Sequence, residues 1–297
     1  MGHGVIRLAF DAGPASGLGH RRRMEALAGA LTAAGATSVL SELVDDARRE
    51  PVEADVVVID SYRLRADDAR IEARCTAALD DLHRDLAVDL LVEPAPVRAD
   101  VGVDVDDAHE RPRAGTVLRG LEYALIDPEY SSRPRAPIVD DVDTVLVATG
   151  AADAAGVGAS VAASVRAILP MVAVRLVVGP WSSPWVPEGV EPVREPTCLI
   201  DELAAADLVV CSAGVTLLEA LALGRPVVTF AVADNQRPYL DGLRRLGAIA
   251  ASTPDDAPGV AMGLAADAPR RRRLAAAGRA AVDGLGAARV AQAVVAL

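Results

Sequence analysis

Short apolar segments alternate with helical patterns along almost the entire chain of 297 residues. Each apolar segment is bounded by turn-forming residues, which indicates a buried strand. Strands that alternate with helices are typical of βαβ units and therefore of a parallel sheet. The predicted strands are Ile6–Phe10, Val39–Ser41, Val56–Asp60, Ala77–Asp80, Asp89–Val92, Val117–Leu118, Thr144–Thr149, Val174–Gly179, Leu208–Cys211, Pro226–Phe230 and Ala248–Ala251.

One segment interrupts this alternation. Asp127–Pro137 is rich in proline and arginine and has no apolar periodicity, so we interpret it as an interdomain connection. The sequence thus predicts an α/β fold with two Rossmann-like domains, residues 1–135 and 136–297, whose parallel sheets face each other across a cleft. Pro269–Asp283 and Gly286–Leu297 have helical patterns, and the last helix is a candidate to pack back across the first domain.

Composition excludes several classes of function. The net charge of −12 argues against a general nucleic-acid partner, because affinity for the phosphate backbone depends on clustered positive charge. We interpret the basic run Arg270–Arg273 as a solvated helix face. All 30 basic residues are arginine, so a P-loop lysine, a Schiff-base lysine and a lysine general base are excluded.

Targeting signals and cysteine usage indicate a cytoplasmic protein. The N-terminal residues run directly into an apolar strand without a signal-peptide pattern, and no apolar run is long enough to span a bilayer. We therefore expect no membrane partner. Cys75, Cys198 and Cys211 are odd in number and far apart, so we expect reduced cysteines in the core.

No metal and no cofactor are expected. His83 and His109 lack partners at metal-ligand spacing. Asp104–Asp106 and Asp141–Asp143 each have a DxD pattern, but both lie in acidic, loop-like stretches and are better explained as solvated loops. The glycine-bearing segment Gly13–Gly19 lacks the GxGxxG spacing of a dinucleotide site, which argues against NAD.

An anion-binding pattern lies in the second half of the chain. The predicted strand Leu208–Cys211 is followed by the turn Ser212–Gly214 and by a helical segment, Thr216–Leu223. The free N–H groups and the dipole of a helix N-terminus favour a phosphate, and glycine permits its close approach. Glu219 lies one turn further along the helix, where it could accept hydrogen bonds from ribose hydroxyls.

A second loop is expected beside this turn. Pro226–Phe230 is the next predicted parallel strand, and Asn235 and Gln236 follow its carboxyl end. Open α/β sheets bind ligands at the carboxyl ends of their strands. Asn235, which is the only asparagine of the chain, and Gln236 are therefore candidate ligand contacts.

The first half contains a candidate general base. Asp11 ends the first strand, Gly13–Gly19 forms a loop, and His20 precedes a helical segment, Arg21–Ala34. A loop-mounted histidine that titrates near neutral pH suits general-base catalysis. The alternative is a helix cap or a surface histidine.

Further polar residues follow other predicted strands of the first half. Asp80 and Asp81 are either paired catalytic carboxylates or, as we prefer, one carboxylate that orients His20 or a loop beside a structural one. Asp60 and Tyr62 are expected to line the same cleft, unless Tyr62 simply caps the end of its strand.

Together these motifs resemble one family over nearly the whole chain. The matching segments, in order, are Asp11 with Gly17–Arg23, Ile59–Tyr62, Leu79–Leu82, Gly120–Ile126, Thr149-Gly150 with Asp153, Ser212–Glu219 and Asn235-Gln236. The chain is similar to the UDP-2,4-diacetamido-2,4,6-trideoxy-β-L-altropyranose hydrolases of pseudaminic acid biosynthesis, which are related to spore-coat polysaccharide proteins. Its second half also resembles GT-B glycosyltransferases, including the lipid II-forming N-acetylglucosaminyltransferase.

The resemblance implies a metal-independent hydrolase of a UDP-sugar. His20 would take a proton from the water that attacks the anomeric carbon while UDP departs, and helix N-termini would stabilise the leaving diphosphate. Arg23 occupies the family's arginine position, where it either packs structurally or orients the loop. The implied residues are His20, Asp11 and Asp81 for catalysis, Gly150, Ser212, Ala213, Gly214, Val215, Thr216 and Glu219 for the nucleotide, and Gly19, Asp60, Tyr62, Asn235 and Gln236 for the sugar.

Three departures from the family limit this implication. The chain has Ala9–Asp11 where the family has Arg-x-Asp, Leu91–Pro96 where it has an asparagine-bearing segment, and Gly150-Ala151 where it has Gly-Gly. Lost polar partners change recognition strongly, so we expect a different sugar. The alternatives are a GT-B glycosyltransferase that passes the sugar to an acceptor and a noncatalytic sugar-nucleotide binding protein. We expect a monomer or a weak dimer.

Overall fold

The computed structural model describes residues 4–43, 52–63, 71–84, 86–96, 114–134, 136–153, 155–194, 196 and 198–297. The chain forms two compact units. The first comprises Met1–Ala12, Leu18–Pro128 and Gly284–Leu297. The second comprises Gly13–Gly17 and Glu129–Asp283.

Each unit is built on a six-stranded sheet in which all paired strands are parallel. The first sheet contains β1 (Ile6–Phe10), β2 (Ser38–Glu42), β3 (Val52–Asp60), β4 (Ile71–Leu79), β5 (Leu90–Glu93) and β6 (Thr116–Arg119), in the order β2-β1-β3-β4-β5-β6. The second contains β7 (Thr144–Ala148), β8 (Ala173–Val178), β9 (Val190–Arg194), β10 (Leu208–Ser212), β11 (Val227–Phe230) and β12 (Ala250–Ala251), in the order β12-β11-β10-β7-β8-β9. The predicted α/β fold with two parallel sheets is confirmed.

Helices connect and cover these strands. They are α1 (Gly19–Ala33), α2 (Glu129–Ser132), α3 (Val157–Ile168), α4 (Ile200–Ala205), α5 (Val215–Ala222), α6 (Arg237–Arg245), α7 (Ala257–Ala265), α8 (Ala268–Ala281) and α9 (Gly286–Val295). Short 3₁₀ turns occupy Leu121–Tyr123 and Asp234–Gln236. None of the helices in the described part of the chain is long and apolar enough to cross a membrane.

The core of the first unit lies between its sheet and the helices α1 and α9. Leu8 and Val58 are fully buried on the sheet and belong to one cluster with Leu27 of α1 and Val290 of α9. Burial of each such side chain contributes about 1.5–3 kcal/mol. The start of helix α9 packs closely against the backbone of Ala124. A Cβ atom added to Gly286 would lie 2.2 Å from the carbonyl oxygen of Ala124. Only glycine permits this approach.

The second unit has a core of the same kind between its sheet and the helices α3 and α7. Val147, Val210 and Val228, on three neighbouring strands, are fully buried with Ala162 and Leu264. Strands covered on both faces have continuous apolar sequences rather than alternating ones. This property made these strands recognisable in the sequence.

Three strands differ by several residues or more from the sequence prediction, and one of them, β3, begins at Val52 rather than at Val56. β9 was missed, because Pro192 interrupts an alternating pattern and argues against a central strand. The structure places β9 at the end of the second sheet, where a missing N–H donor is tolerated. β4 begins at Ile71 rather than at Ala77, because its first half alternates polar and small residues.

The predicted interdomain connection Asp127–Pro137 contains the one-turn helix α2. Two smaller predictions were wrong in part. Cys198 is exposed rather than in the core, although all three cysteines are free. Arg270, Arg272 and Arg273 are exposed, as predicted, but Arg271 is fully buried, and its guanidinium group donates to the carbonyl oxygens of four residues. These are Leu264, Ala265, Val139 and Asp140.

The structure describes only one of the two DxD motifs. Asp104–Asp106 lies outside the described residues, as does His109. Asp141 and Asp143 are exposed and flank the buried Val142. The N–H of Asp143 donates to the carboxylate of Asp207, which ties the segment to the start of β10.

Candidate functional site

Buried carboxylates follow the carboxyl ends of four neighbouring strands in the first sheet. Parallel strands end at the same edge, so these side chains are collected there by the topology. We call this set the carboxylate row. It comprises Asp11 after β1, Asp60 at the end of β3, Asp80 and Asp81 after β4, and Glu93 at the end of β5, each at most 3% exposed.

Arginines hold the carboxylate row in place. Arg63 donates to Asp11 at 2.8 Å, Arg84 donates to Asp80 at 2.7 Å, and Arg119 donates to Glu93 at 2.6 Å. A buried carboxylate without a partner would be very costly, whereas a well-formed ion pair offsets most of its desolvation. The arginine-rich composition therefore has a structural use at this edge.

Arg23 has the most central position among these cations. Its Nε and Nη2 atoms donate to the two carboxylate oxygens of Asp60 at 2.9 and 2.7 Å. Its Nη1 atom donates to Asp81 at 2.5 Å. Arg23 thus joins the ends of β3 and β4 to helix α1, which is a structural clamp of the kind left open in the sequence analysis.

His20 lies one helical turn before Arg23, on the same face of α1. The sequence placed it on the loop, but the structure places Gly19 and His20 in the first turn of the helix. The Nε2 atom of His20 is 3.8 Å from Oδ1 of Asp60, and its ring contacts the ring of Tyr62 edge-on at 4.7 Å. Its Nδ1 atom is buried and has no hydrogen-bond partner among the described residues.

The electrostatic surroundings keep this imidazole neutral. Burial lowers the pKa of His20 below the ordinary value of 6.5, and Arg23 lowers it further, while Asp60 opposes the shift. Burial also raises the pKa of Asp60, and the Arg23 guanidinium opposes that change. A neutral imidazole with a vacant nitrogen can accept a proton at neutral pH.

The predicted catalytic and sugar contacts of the first half meet around this histidine. Asp11 accepts hydrogen bonds from the Ser61 hydroxyl and from the N–H of Tyr62. The hydroxyl of Tyr62 lies 3.3 Å from Asp81 and donates to it. Sequence spacing did not reveal which carboxylate lies nearest to His20. Among the described residues, Asp60 is the one within 4 Å of its imidazole.

A second histidine site at the same edge was missed. The Nδ1 atom of His83 lies 3.1 Å from Glu93, which also accepts from Arg119. His83 has a φ angle of 53°, in the left-handed region that few residues other than glycine adopt. One signal for it was present in the sequence, since Glu93 lies where the chain departs from the family that it resembles.

The second unit presents backbone donors at its corresponding edge. The turn after β10 is compact, since the N–H of Ala213 donates to Phe230 and that of Gly214 donates to Ser212. Helix α5 then begins with Val215 and Thr216. Their N–H groups have no hydrogen-bond partner among the described residues, as expected for the first turn of a helix.

The loop after β11 lies beside this turn. Gln236 ends the 3₁₀ turn that follows the strand, and its side-chain oxygen accepts from the N–H of Val232 at 2.9 Å. Its Nε2 atom lies 3.8 Å from the position that a Cβ atom on Gly214 would occupy. The structure therefore brings Gln236 next to the N-terminus of α5, as the strand order predicted.

The loop after β7 completes the edge, because β7 is the other neighbour of β10. Gly150 has a φ angle of 98°, which favours glycine, and an added Cβ would meet no atom within 4 Å. Asp153 accepts hydrogen bonds from the N–H groups of Val157 and Gly158 and so caps helix α3. Asp153 therefore has a structural role.

Glu219 is more enclosed than the sequence suggested. It lies in the second turn of α5 and is 3% exposed. Burial raises the pKa of the Cys211 thiol to about 12, and the charge of Glu219 adds to this effect. Glu219 is therefore close to the sheet, and its contact with a ribose stays a prediction.

Comparison with known proteins identifies the fold. No known protein-family profile matches the chain, and no curated protein matches its sequence. Among solved structures, S. aureus MnaA with UDP has a TM-score of 0.62 at 12% identity, with 96% of this chain and 94% of that chain covered. The spinosyn rhamnosyltransferase SpnG complexed with thymidine diphosphate has a TM-score of 0.59 at 14% identity, with 97% and 99% covered.

A third match is WaaG, a glycosyltransferase involved in lipopolysaccharide biosynthesis, with a TM-score of 0.55, 13% identity and coverage of 98% and 99%. These likenesses span both units of the chain, and at such identities they show the fold alone. The protein shares the fold of these structures, which is the GT-B fold that the sequence predicted. The hydrolase family stays a resemblance of motifs.

Proposed function

We propose that this chain is a GT-B enzyme that moves a sugar from a nucleoside diphosphate, of UDP type, to an oxygen nucleophile. The observation that carries the proposal is the buried, neutral imidazole of His20, whose Nδ1 atom has no partner among the described residues. An unsatisfied buried nitrogen is costly, so a structure that retains one invites a functional explanation. General-base catalysis supplies that explanation.

The proposed chemistry is a single displacement. The hydroxyl of the nucleophile gives its proton to Nδ1 of His20, while its oxygen forms a bond to the anomeric carbon. The bond between that carbon and the diphosphate oxygen breaks, and its electron pair leaves with UDP. A proton on Nε2, the side that faces Asp60, leaves Nδ1 free as the acceptor. Attack opposite to the leaving group inverts the anomeric configuration.

The second unit is proposed to bind the nucleotide. The N–H groups of Val215 and Thr216, together with the dipole of α5, suit an anionic diphosphate. Gly150 and Gln236 flank this turn on either side, on the loops after β7 and β11. Two of the similar structures are complexes with UDP and with thymidine diphosphate, which supports a pyrimidine nucleotide.

Transfer to an acceptor hydroxyl is the leading form of this reaction, because several of the similar structures are named as glycosyltransferases. Hydrolysis is the second candidate, and the motif order of the first half supports it. Both reactions need the same base, since water and an alcohol each lose one proton. Asp11, Asp60 and Asp81 would orient His20 and stabilise the imidazolium that forms.

The test measures UDP release from UDP-sugars with and without a panel of sugar and lipid alcohol acceptors. We expect His20→Ala to lower turnover about 10²- to 10⁴-fold with little change in UDP affinity. Arg21→Ala, at an exposed position of the same helix turn, is the matched control and should retain activity.

The acceptor dependence separates the two reactions. Release that requires an added acceptor establishes transfer, whereas equal release in water alone establishes hydrolysis. Tight UDP binding with no release from any sugar would overturn the catalytic proposal in favour of a binding protein. Full activity of the His20→Ala variant would remove the assigned base.

A further inference from the structure

Three charged side chains from adjacent strand ends converge at the far side of the carboxylate row. Glu93 ends β5, Arg119 ends β6, and His83 follows β4. Glu93 and Arg119 are direct partners in the register of the two strands. His83 lies 3.1 Å from one oxygen of Glu93, and Arg119 donates to the other at 2.6 Å. We call these three residues the Glu93 cluster.

The Glu93 cluster has donors that its own carboxylate does not use. The side chain of Glu93 is 4% exposed, whereas those of His83 and Arg119 are 26% and 43% exposed. Nε2 of His83 and Nη1 of Arg119 have no partner among the residues that the structure describes. Two N–H donors on partly exposed side chains therefore lie beside a buried acid.

The charges of this cluster do not cancel. The hydrogen bond with Glu93 raises the pKa of His83 above 6.5, and the charges of Glu93 and Asp80 act in the same direction, against burial and Arg119. Burial would raise the pKa of Glu93, but hydrogen bonds from His83 and Arg119 outweigh it and lower that pKa. Two cations then face one anion, which leaves one positive charge when His83 is protonated.

Arg119 alone provides the charge that Glu93 needs. Charge compensation therefore does not explain why His83 also contacts Glu93. The backbone of His83 is an independent sign of function. A left-handed residue other than glycine persists only where its surroundings impose it, and such residues cluster at ligand sites. Here the strained backbone holds a second cation against a carboxylate that Arg119 already pairs with.

From these contacts we infer that the Glu93 cluster binds the carboxylate of an acidic sugar, with N–H donors from His83 and Arg119. The inference rests on the proposed function and specifies its substrate class: a nucleoside diphosphate linked to a uronic acid or a similar carboxylated sugar. A singly charged carboxylate matches the single excess charge of the cluster, and its two oxygens match the two free donors.

The experiment measures dissociation constants by calorimetry for UDP and for two matched pairs of probes. These are UDP-glucose with UDP-glucuronate and UDP-galactose with UDP-galacturonate. At pH 6 we expect the acidic member of at least one pair to bind tenfold tighter or more. The preference should decrease as the pH rises through the pKa of His83.

Variants locate the source of this preference. Arg119→Gln and His83→Asn should each reduce it severalfold without changing the affinity for UDP, and asparagine tolerates the left-handed backbone. Arg272→Gln is the control, because Arg272 is also half-exposed and paired with one carboxylate, in the second unit. It should leave the preference unchanged.

The possible failures are distinguishable. Equal affinity within both pairs, with UDP itself bound, would overturn the acidic-sugar inference alone. A loss of UDP affinity in Arg119→Gln equal to the loss for the acidic sugar would also overturn it, because the effect would then be structural. If the wild-type protein does not bind UDP, both the inference and the proposed function are wrong.

Discussion

The two sheets end in opposite ways. The carboxyl edge of the first sheet carries buried acids paired with arginines, whereas the edge of the second carries small residues and backbone N–H groups. This difference underlies the proposal that the first unit supplies the general base and the second unit binds the diphosphate. Proton transfer needs side chains whose pKa values can be adjusted, while a diphosphate can be held by donors that do not titrate.

The same difference determines how each edge would respond to mutation. A buried charge network depends on every partner, because removal of one side chain leaves another charge without compensation. A set of backbone donors depends instead on the conformation of a few glycines. Mutations that remove charge should therefore damage the first unit, and mutations that restrict the backbone should damage the second.

Loss of Arg23 should have the largest effect. Arg23→Ala leaves Asp60 and Asp81 buried without their clamp, so we expect a loss of about 3–5 kcal/mol in the free energy of unfolding. Urea denaturation followed by circular dichroism measures it. Arg21→Ala, which removes an exposed pair with Glu25, should cost less than about 0.5 kcal/mol.

Similar unfolding free energies for these two variants would break the comparison. The first edge would then not depend on its buried ion pairs. A large loss in both would show instead that helix α1 tolerates no change at its first turn.

Gly150 provides the matching test for the second edge. Gly150→Ala places a Cβ on a residue with a φ angle of 98° in open space, so about 1–2 kcal/mol of backbone strain is expected. Gly35→Ala meets the same condition, with a φ angle of 81° after helix α1. Calorimetric titration with UDP should show weaker binding for the first variant alone.

The Gly35 variant supplies the control for stability. If both alanine variants lose the same stability and both keep wild-type UDP affinity, the loop after β7 does not contribute to nucleotide binding. That result would restrict the second edge to the turn at Gly214.

The two described histidines sharpen the comparison within the first edge. His20 should titrate below pH 6.5, because burial favours its neutral form, and His83 should titrate above it, because Glu93 favours the charged form. NMR titration of the wild type, with His20→Asn and His83→Asn for assignment, measures both values. This prediction concerns the smallest effect, because it is detected only in the pH dependence of the chemical shifts.

The sign of each contribution to stability follows from these directions. His20 destabilises the folded state as the pH falls below 6.5, whereas the stabilisation from His83 is complete below 6.5 and is lost as the pH rises through its folded pKa. The acid limb of the activity should likewise lie below pH 6.5. Titration of both histidines at 6.5 would contradict the assigned environments.

Much of the fold could be predicted because its central strands are buried on both faces. Ile6–Phe10 was predicted with its observed bounds, since a continuous apolar run between turns has few alternatives. β9 could not be predicted, because a proline in a short alternating segment acquires its meaning only from a position at the sheet edge. Local sequence does not encode that position.

The site was predictable in its members and not in its pairings. Asp11, His20 and Asp60 follow strand ends, and strand ends of a parallel sheet meet by topology. The partnership of Arg23 with two acids, and of His83 with Glu93, depends on registers between separate strands and on one left-handed residue. Contacts of this kind produce no periodic pattern in the sequence.

The choice of guanidinium partners for the carboxylate row also determines how the protein tolerates alkali. Arginine keeps its proton far above neutrality, so basic solutions leave these ion pairs intact. Acid instead protonates Glu93, whose pKa is lowered by hydrogen bonds from His83 and Arg119, and His20, whose pKa is lowered by burial, and both protonations favour the unfolded chain. We therefore expect purification and storage to succeed on the basic side of neutrality and to fail first in acidic buffers.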